Sequence, residues 1–455
     1  MKNGKRSSFS GKLGYVLAAA GASVGLGNIW RFPYLAAKYG GGIFLIIYIV
    51  LALTFGYTMI VAETAIGRMT RKSPVGAFKS FGKKKWLSFG GWINAVIPVL
   101  IVPYYSVIGG WVIKYLVEYF RGNAKLLAED GYFTDFISNG VSTELCFVAF
   151  CAFTLIIIFA GVQNGIERVS KIMMPILIVL SVIIAVYSVT RPGALAGVKY
   201  FLVPNVKNFS WMTVVSAMGQ MFYSLSIAMG ILITFGSYMK KDTAIEDSTR
   251  NVEVFDTGIA IMAGLMIIPA VFAFSGGDPD TLQAGPSLMF ITIPKVFQNM
   301  GFGTVIGIVF FLLVLFAAVT SSIALTESAV STFEDELGWG RKKATVLVGV
   351  IMLVLGSLSS LGYGPLAGIK IIGMQFLDLF DFLTNSVMMP IAALLTSLLV
   401  SRVVGIDKIE DEIIHGESAF RRKKVFVVMI KYLCPVFAII ILLSSVANAL
   451  GWIKM

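Results

Sequence analysis

The chain has 455 residues, 57% of them hydrophobic and 14% charged, with mean hydropathy +0.84 and a formal net charge of +12. Soluble domains carry roughly a quarter charged residues, so this composition excludes an ordinary soluble core and indicates many membrane spans. The basic surplus is spread over loops, which fits membrane topology and excludes a nucleic-acid-binding patch.

In chain order, charge-poor runs predict eleven spans, near 13–37, 43–69, 88–119, 145–160, 170–190, 211–238, 253–274, 302–333, 343–361, 370–401 and 425–449. The first follows a basic N-terminus (Lys2, Lys5, Arg6, Lys12) and lacks a small-residue cleavage site leading into a polar start, so it reads as retained and not as a signal peptide. Within it, Gly21 to Pro33 read GASVGLGNIWRFP. Three glycines with a Ser and an Asn keep a helix poorly. Backbone without helical partners is tolerated at membrane depth only where it lines a cavity or is buried in protein. Span one is therefore expected to be broken, its freed carbonyls and amides serving as ligands. The sixth span repeats the trait in Gly219 to Gly230, GQMFYSLSIAMG.

Spans one and six are five apart, and a repeat of five spans must be inverted in the membrane. Interrupted segments at matching positions of two halves point to a transporter binding site. Half-helix N-termini suit a carboxylate, and half-helix C-termini and unwound carbonyls suit a cation. The alternative is that these glycines only permit close helix packing. The expected architecture is an all-α membrane protein of about eleven spans with a 5+5 inverted repeat. Its first half runs over 9–200 and its second over 205–403, and a loop with the eleventh helix fills 404–455. With the N-terminus inside, 25 of the 37 Lys and Arg fall on the cytoplasmic side, and eleven spans leave the C-terminus outside. A bacterial cell membrane is the expected location.

The motifs GASVGLGNIWRFPYLAAKYGGG in span one, AETAIGR at Ala62 to Arg68, GQMFYSLS at 219–226 and AAVTSSIALTES at 317–328 carry a resemblance. The chain resembles the neurotransmitter:sodium symporter family in its bacterial amino-acid branch, from about Phe9 to its end. The resemblance implies a sodium-coupled symporter that takes up an amino acid by alternating access. It also implies two sodium sites. One has carbonyls of Gly21, Val24 and Ala317 with the hydroxyls of Thr320 and Ser321. For that Thr-Ser-Ser run the alternative is bonding back to its own helix. The other has the Ser23 carbonyl, the Asn28 side chain, Ser224 and a residue of span seven, completed by the substrate carboxylate.

That span-seven residue is Asp256, where chloride-dependent members carry asparagine, and Ala260 stands near their serine. An intramembrane carboxylate is costly and marks a functional site by default. A fixed negative charge beside sodium replaces a bound anion, so no chloride requirement is expected, and Asp256 is expected to take a proton when the empty carrier returns. Tyr48, Gln220 and Ser224 would otherwise line a halide site. The alternative for Asp256 is a helix cap near the cytoplasmic start of span seven.

The resemblance further implies that the substrate carboxylate meets the amides of Leu26 and Gly27 and the Tyr105 hydroxyl. Tyr105 alone would also suit an interfacial aromatic. The ammonium would meet carbonyls of Ser23, Tyr223 and Ser224 and the Ser226 hydroxyl. Ile101, Met229, Ser321 and Leu325 would line an apolar pocket, which suits a hydrophobic or aromatic L-amino acid. Tyr223 and Ala228 depart from the family's usual phenylalanine and glycine. Arg31 with Asp381 is expected as the outer gate, and Arg6 with Asp335, near Tyr238, as the inner one. Phe9 replaces a common tryptophan and suggests a looser inner latch. Glu63 is expected to bind the freed backbone of spans one and six.

Two other functions compete. A non-transporting amino-acid sensor or a channel would share the pocket. A membrane enzyme would need a nucleophile–base pair or metal cluster, and the only histidine, His415, lies in a polar loop. The cysteines Cys146, Cys151 and Cys434 all sit in apolar runs, which argues against a disulfide framework. The expected partners are the amino acid and the bilayer, with no nucleic acid.

Overall fold

The computed structural model describes residues 7–276, 286–449 and 452. Among these residues regular structure is helical throughout, and the β pairing consists of isolated bridges at Gly41–Pro204 and Ile371–Met374. Among the described residues nine helices are long and apolar enough to cross a membrane: Gly42–Thr70, Lys85–Phe120, Gly140–Phe159, Val162–Val189, Ile245–Ser275, Gly303–Leu337, Arg341–Leu361, Phe376–Val404 and Lys423–Asn448. They are spans two to five and seven to eleven. Span one is a bent pair, Lys12–Ser23 and Gly27–Lys38, turned by 52° at its break. Span six is two shorter helices, Trp211–Ser224 and Ile231–Tyr238. The tenth helix starts six residues later than its apolar run, because Ile371–Met374 closes a turn first.

Burial sorts the spans by position. The most apolar stretches of spans three and eight are 78% and 72% buried, and those of spans five and eleven 33%. Spans one, three, six and eight thus form the centre, and spans four, five, nine and eleven lie toward the periphery. Span three packs along span eight, and the inner half of span six along span two. That second contact is made backbone to backbone. A Cβ on Gly236 would lie 2.4 Å from the Thr64 carbonyl oxygen, and one on Gly67 2.0 Å from that of Ile233. Small residues at both positions are what allow so close an approach.

The two breaks have different causes. In span one the helix ends at Ser23, and Val24 turns extended (φ −76°, ψ 99°) before winding resumes at Gly27. In span six the chain from Leu225 to Gly230 takes three left-handed residues, Ser226 (φ 53°), Ala228 (φ 58°) and Gly230 (φ 71°). Alanine and serine rarely adopt that region, so the conformation is imposed by surroundings. Glu63 of span two supplies one such constraint, as its Oε1 accepts the Ala228 amide at 2.8 Å. Its expected bond to span one is absent among the described contacts.

Candidate functional site

Several freed groups at the span-one break have partners. The Gly25 amide donates to Asn28 Oδ1 at 3.1 Å, and the Leu26 amide to the Tyr105 hydroxyl at 3.3 Å. Gln220 Nε2 donates to the Gly27 carbonyl at 3.0 Å. The Ala22 carbonyl accepts from Ser226 at 3.0 Å and from Ser321 at 3.1 Å. The two breaks are thus knit to each other and to spans three and eight. Between them lies a cavity lined by all eleven residues that the sequence assigned to substrate, together with Ala22, Gly25 and Asn28. Ile101, Met229 and Leu325 give it an apolar side, and the amides, hydroxyls and carbonyls a polar one. The free space measures about 30 Å³, enough for one or two waters.

Beside this cavity the Ser321 hydroxyl approaches three carbonyl oxygens at once: Gly21 at 3.3 Å, Ala22 at 3.1 Å and Val24 at 3.3 Å. One hydroxyl proton cannot serve three acceptors. Such convergence of neutral oxygens fits a hard monovalent cation. Thr320 lies against Gly21, whose added Cβ would come within 3.1 Å of Thr320 Cβ. Its hydroxyl, however, donates back to Phe316 at 2.9 Å and to Ala317 at 3.2 Å. The back-bonded alternative therefore describes Thr320 in this structure, and only a rotamer change would turn it toward the carbonyl cluster.

Asp256 is fully buried eleven residues into its helix, which begins at Ile245, so it is not a helix cap. Its Oδ1 accepts from Asn28 Nδ2 at 2.8 Å and from Ser224 at 2.8 Å, and its Oδ2 accepts from Tyr48 at 2.9 Å. Asn28 Nδ2 also lies 2.9 Å from Ser224 Oγ. Asn28, Ser224 and Asp256 are brought together, and Ser23 lies on the same cavity.

Outside the site a vestibule of about 380 Å³ is lined by residues including Arg31, Tyr223, Asp381 and Asn385. Arg31 and Asp381 share it but do not form the expected ion pair. The Arg31 guanidinium lies 5.3 Å from the Tyr223 ring centre instead. Asp381 Oδ1 accepts from Asn385 Nδ2 at 2.5 Å and from Tyr104 at 3.2 Å. Arg31 thus rests against an aromatic ring and Asp381 against two neutral donors.

On the inner side Arg6 lies outside the described residues. Asp335 accepts the Ser73 amide at 2.7 Å. Phe9 is buried at edge-on contact with Tyr15, Phe235 and Tyr238, so the replacement of tryptophan leaves no loose latch here. The sequence reading missed a buried ion pair of this face. Glu327 of span eight is fully buried, accepts from Tyr238 at 2.7 Å and pairs with Arg341 Nη2 at 2.5 Å. The signal was present, since Glu327 is an acid inside the AAVTSSIALTES run.

The sequence signature described as the Sodium:neurotransmitter symporter family matches residues 6–127 and 134–452. YhdH, an uncharacterized sodium-dependent transporter of Bacillus subtilis, is 34% identical over 450 residues, covering 98% of this chain and 99% of that protein. The human sodium- and chloride-dependent GABA transporter 2 is 26% identical over 474 residues, 90% of this chain and 75% of that protein. The crystal structure of MhsT in complex with L-phenylalanine shares 34% identity at a TM-score of 0.86, over 97% of this chain and all of that one.

Proposed function

This chain belongs to the sodium:neurotransmitter symporter family, a membrane transporter and not an enzyme, and we propose that it takes up a hydrophobic or aromatic L-amino acid with sodium by alternating access. The observation that carries this reading is the single cavity between the two breaks, with eleven assigned residues around it. The amides of Leu26 and Gly27 and the Tyr105 hydroxyl suit an α-carboxylate, which would take the place of the Leu26–Tyr105 hydrogen bond. The carbonyls of Ser23, Tyr223 and Ser224 suit an ammonium. Ile101, Met229 and Leu325 suit an apolar side chain, and the phenylalanine named with MhsT is of that class. The cavity is tight, so substrate entry requires Tyr223 and the flexible Met229 to change rotamer.

Two sodium ions are proposed, one at the carbonyls around Ser321 with Thr320 turned inward, the other at Ser23, Asn28, Ser224 and Asp256. Each charge crossing ~100 mV contributes about 2.3 kcal/mol. If two net positive charges move per cycle they supply ~4.6 kcal/mol, roughly a thousandfold accumulation before any concentration gradient is added. The Asp256 carboxylate supplies the negative charge beside the second ion, so chloride is not required. The halves 9–200 and 205–403 are proposed as inverted repeats, in a bacterial cell membrane with the N-terminus inside.

The test is uptake of a panel of labelled amino acids into proteoliposomes, with sodium, chloride and pH varied separately. Concentrative, sodium-dependent uptake with counterflow is expected. Binding without counterflow would leave a sensor or channel, and uptake unchanged when choline replaces sodium would remove the assignment. In the same assay Asp256→Asn is expected to make transport chloride-dependent. Chloride-independent uptake at wild-type rate in that variant would refute the role given to Asp256.

A further inference from the structure

Asp381 sits where two sets of partners compete for it. It closes the first helical stretch of span ten, Phe376–Asp381, and a wide π-helical turn, Phe382–Met388, follows at once. Asn385 stands one turn beyond the carboxylate, at the spacing that makes helix side chains neighbours. Asn385 Nδ2 donates to Asp381 Oδ1 at 2.5 Å and also to the Tyr104 oxygen at 3.2 Å. Tyr104, itself buried, donates to the same Oδ1 at 3.2 Å. Arg31 lines the same vestibule but rests over the Tyr223 ring.

We propose that Tyr104 and Asn385 are positioning residues that hold the Asp381 carboxylate back from Arg31 and so set how readily the outer gate shuts. The inference rests on the transporter reading for the meaning of that gate. Closing requires an exchange of partners: Arg31 leaves the ring, Asp381 turns from two neutral donors, and the ion pair forms. A discrete element with two arrangements is what coupling between sites needs. Asn385 Oδ1 is buried with no hydrogen-bond partner, so this amide is held by its Nδ2 bonds to Asp381 and Tyr104 alone. Span three links the latch to the binding cavity. Tyr104 reaches the gate, while its neighbour Tyr105 accepts the Leu26 amide at the span-one break. A shift of span three when a carboxylate takes the Tyr105 hydroxyl therefore moves the Tyr104 hydroxyl as well. Substrate binding loosens the latch by that route.

The experiment uses the full chain in lipid nanodiscs with the three cysteines replaced, and spin labels at Lys38→Cys and Ile372→Cys. Both positions are exposed, one at the outer end of span one and one on the turn before span ten. Pulsed dipolar spectroscopy in sodium reads the ratio of short to long distances. Asn385→Ala removes a hydrogen bond to a charged group and is expected to raise the closed population about tenfold. Tyr104→Phe is expected to shift it the same way by less, with the ring and its packing kept. Asp381→Asn with Asn385→Ala should match Asp381→Asn alone. An unchanged distribution in both single variants overturns the proposal, as does an equal shift in the Asp381→Asn background, which would mark a structural role. Uptake by the unaltered protein is measured in parallel. Its failure sinks the transport reading, while the distance shifts judge the latch alone.

Discussion

Ser321 shows how much one side chain decides at this site. Its hydroxyl is the shared partner of the Gly21, Ala22 and Val24 carbonyls. Ser321→Ala removes a ligand and the group that holds those carbonyls together, without adding bulk. The sodium concentration for half-maximal binding is expected to rise about tenfold, the usual cost of losing a hydrogen bond to a charged group. A sodium titration of substrate binding in detergent measures it. Gly25 illustrates the opposite need. An added Cβ would stand 2.6 Å from Ser321 Oγ and 3.1 Å from the Tyr105 hydroxyl. Gly25→Ala is therefore expected to weaken substrate affinity by tenfold to about a hundredfold through overpacking, with the melting temperature little changed. Equal losses of affinity and of thermal stability would instead indicate a backbone role. Ser321 was named from the resemblance in span eight, whereas Gly25 stood in the sequence only as one of three glycines that break span one. The rotamer of Thr320 was not legible in sequence, since a threonine in a helix can always bond to its own preceding turn.

At the level of an element, the break in span six is held by its environment more than by its own sequence. Ala228 lies at φ 58°, a left-handed conformation that costs an L-residue with a Cβ roughly 1–2 kcal/mol. The pairing of its amide with Glu63 keeps it there. Ala228→Gly is expected to stabilise the protein by about 1 kcal/mol, read as a higher unfolding temperature in detergent. A lower temperature would show that packing of the alanine methyl outweighs the strain. The composition of Gly219 to Gly230 located this break within a few residues. It did not reveal that unwinding starts at Leu225, because the serines before and after that point are equally compatible with helix.

Across the whole molecule the two faces differ. One face opens into the vestibule of about 380 Å³. The opposite face, which the proposed topology puts inside, is closed by Phe9 among its aromatic neighbours, by Ser10 donating its amide to Glu167 at 2.8 Å, and by the Glu327–Arg341–Tyr238 cluster. Glu327 is fully buried. Removing one member of a buried pair leaves an uncompensated charge and costs about 3–5 kcal/mol. Arg341→Gln is expected to lower stability by that amount and to loosen the inner closure. Glu327→Gln combined with Arg341→Gln is expected to recover most of the loss, because no charge is then stranded. Thermal unfolding of the three variants measures the cycle, and additive losses would mean that the two residues act separately.

The amino-acid sequence by itself determined the order of spans and the two interruptions, which follow from apolar run length and from backbone groups that lipid cannot satisfy, both local properties of the chain. The residues around the cavity were expected from the resemblance to the symporter family, carried by the motifs of spans one, six and eight. Only the tertiary structure decided that Asp381 is held by Tyr104 and Asn385 instead of Arg31, that Asp256 takes three donors from spans one, two and six, and that Glu327 is paired with Arg341. Most of these partners lie on different spans, often hundreds of residues apart. Charge and hydropathy patterns record that a buried polar group must be satisfied, and packing alone selects which neighbour does it.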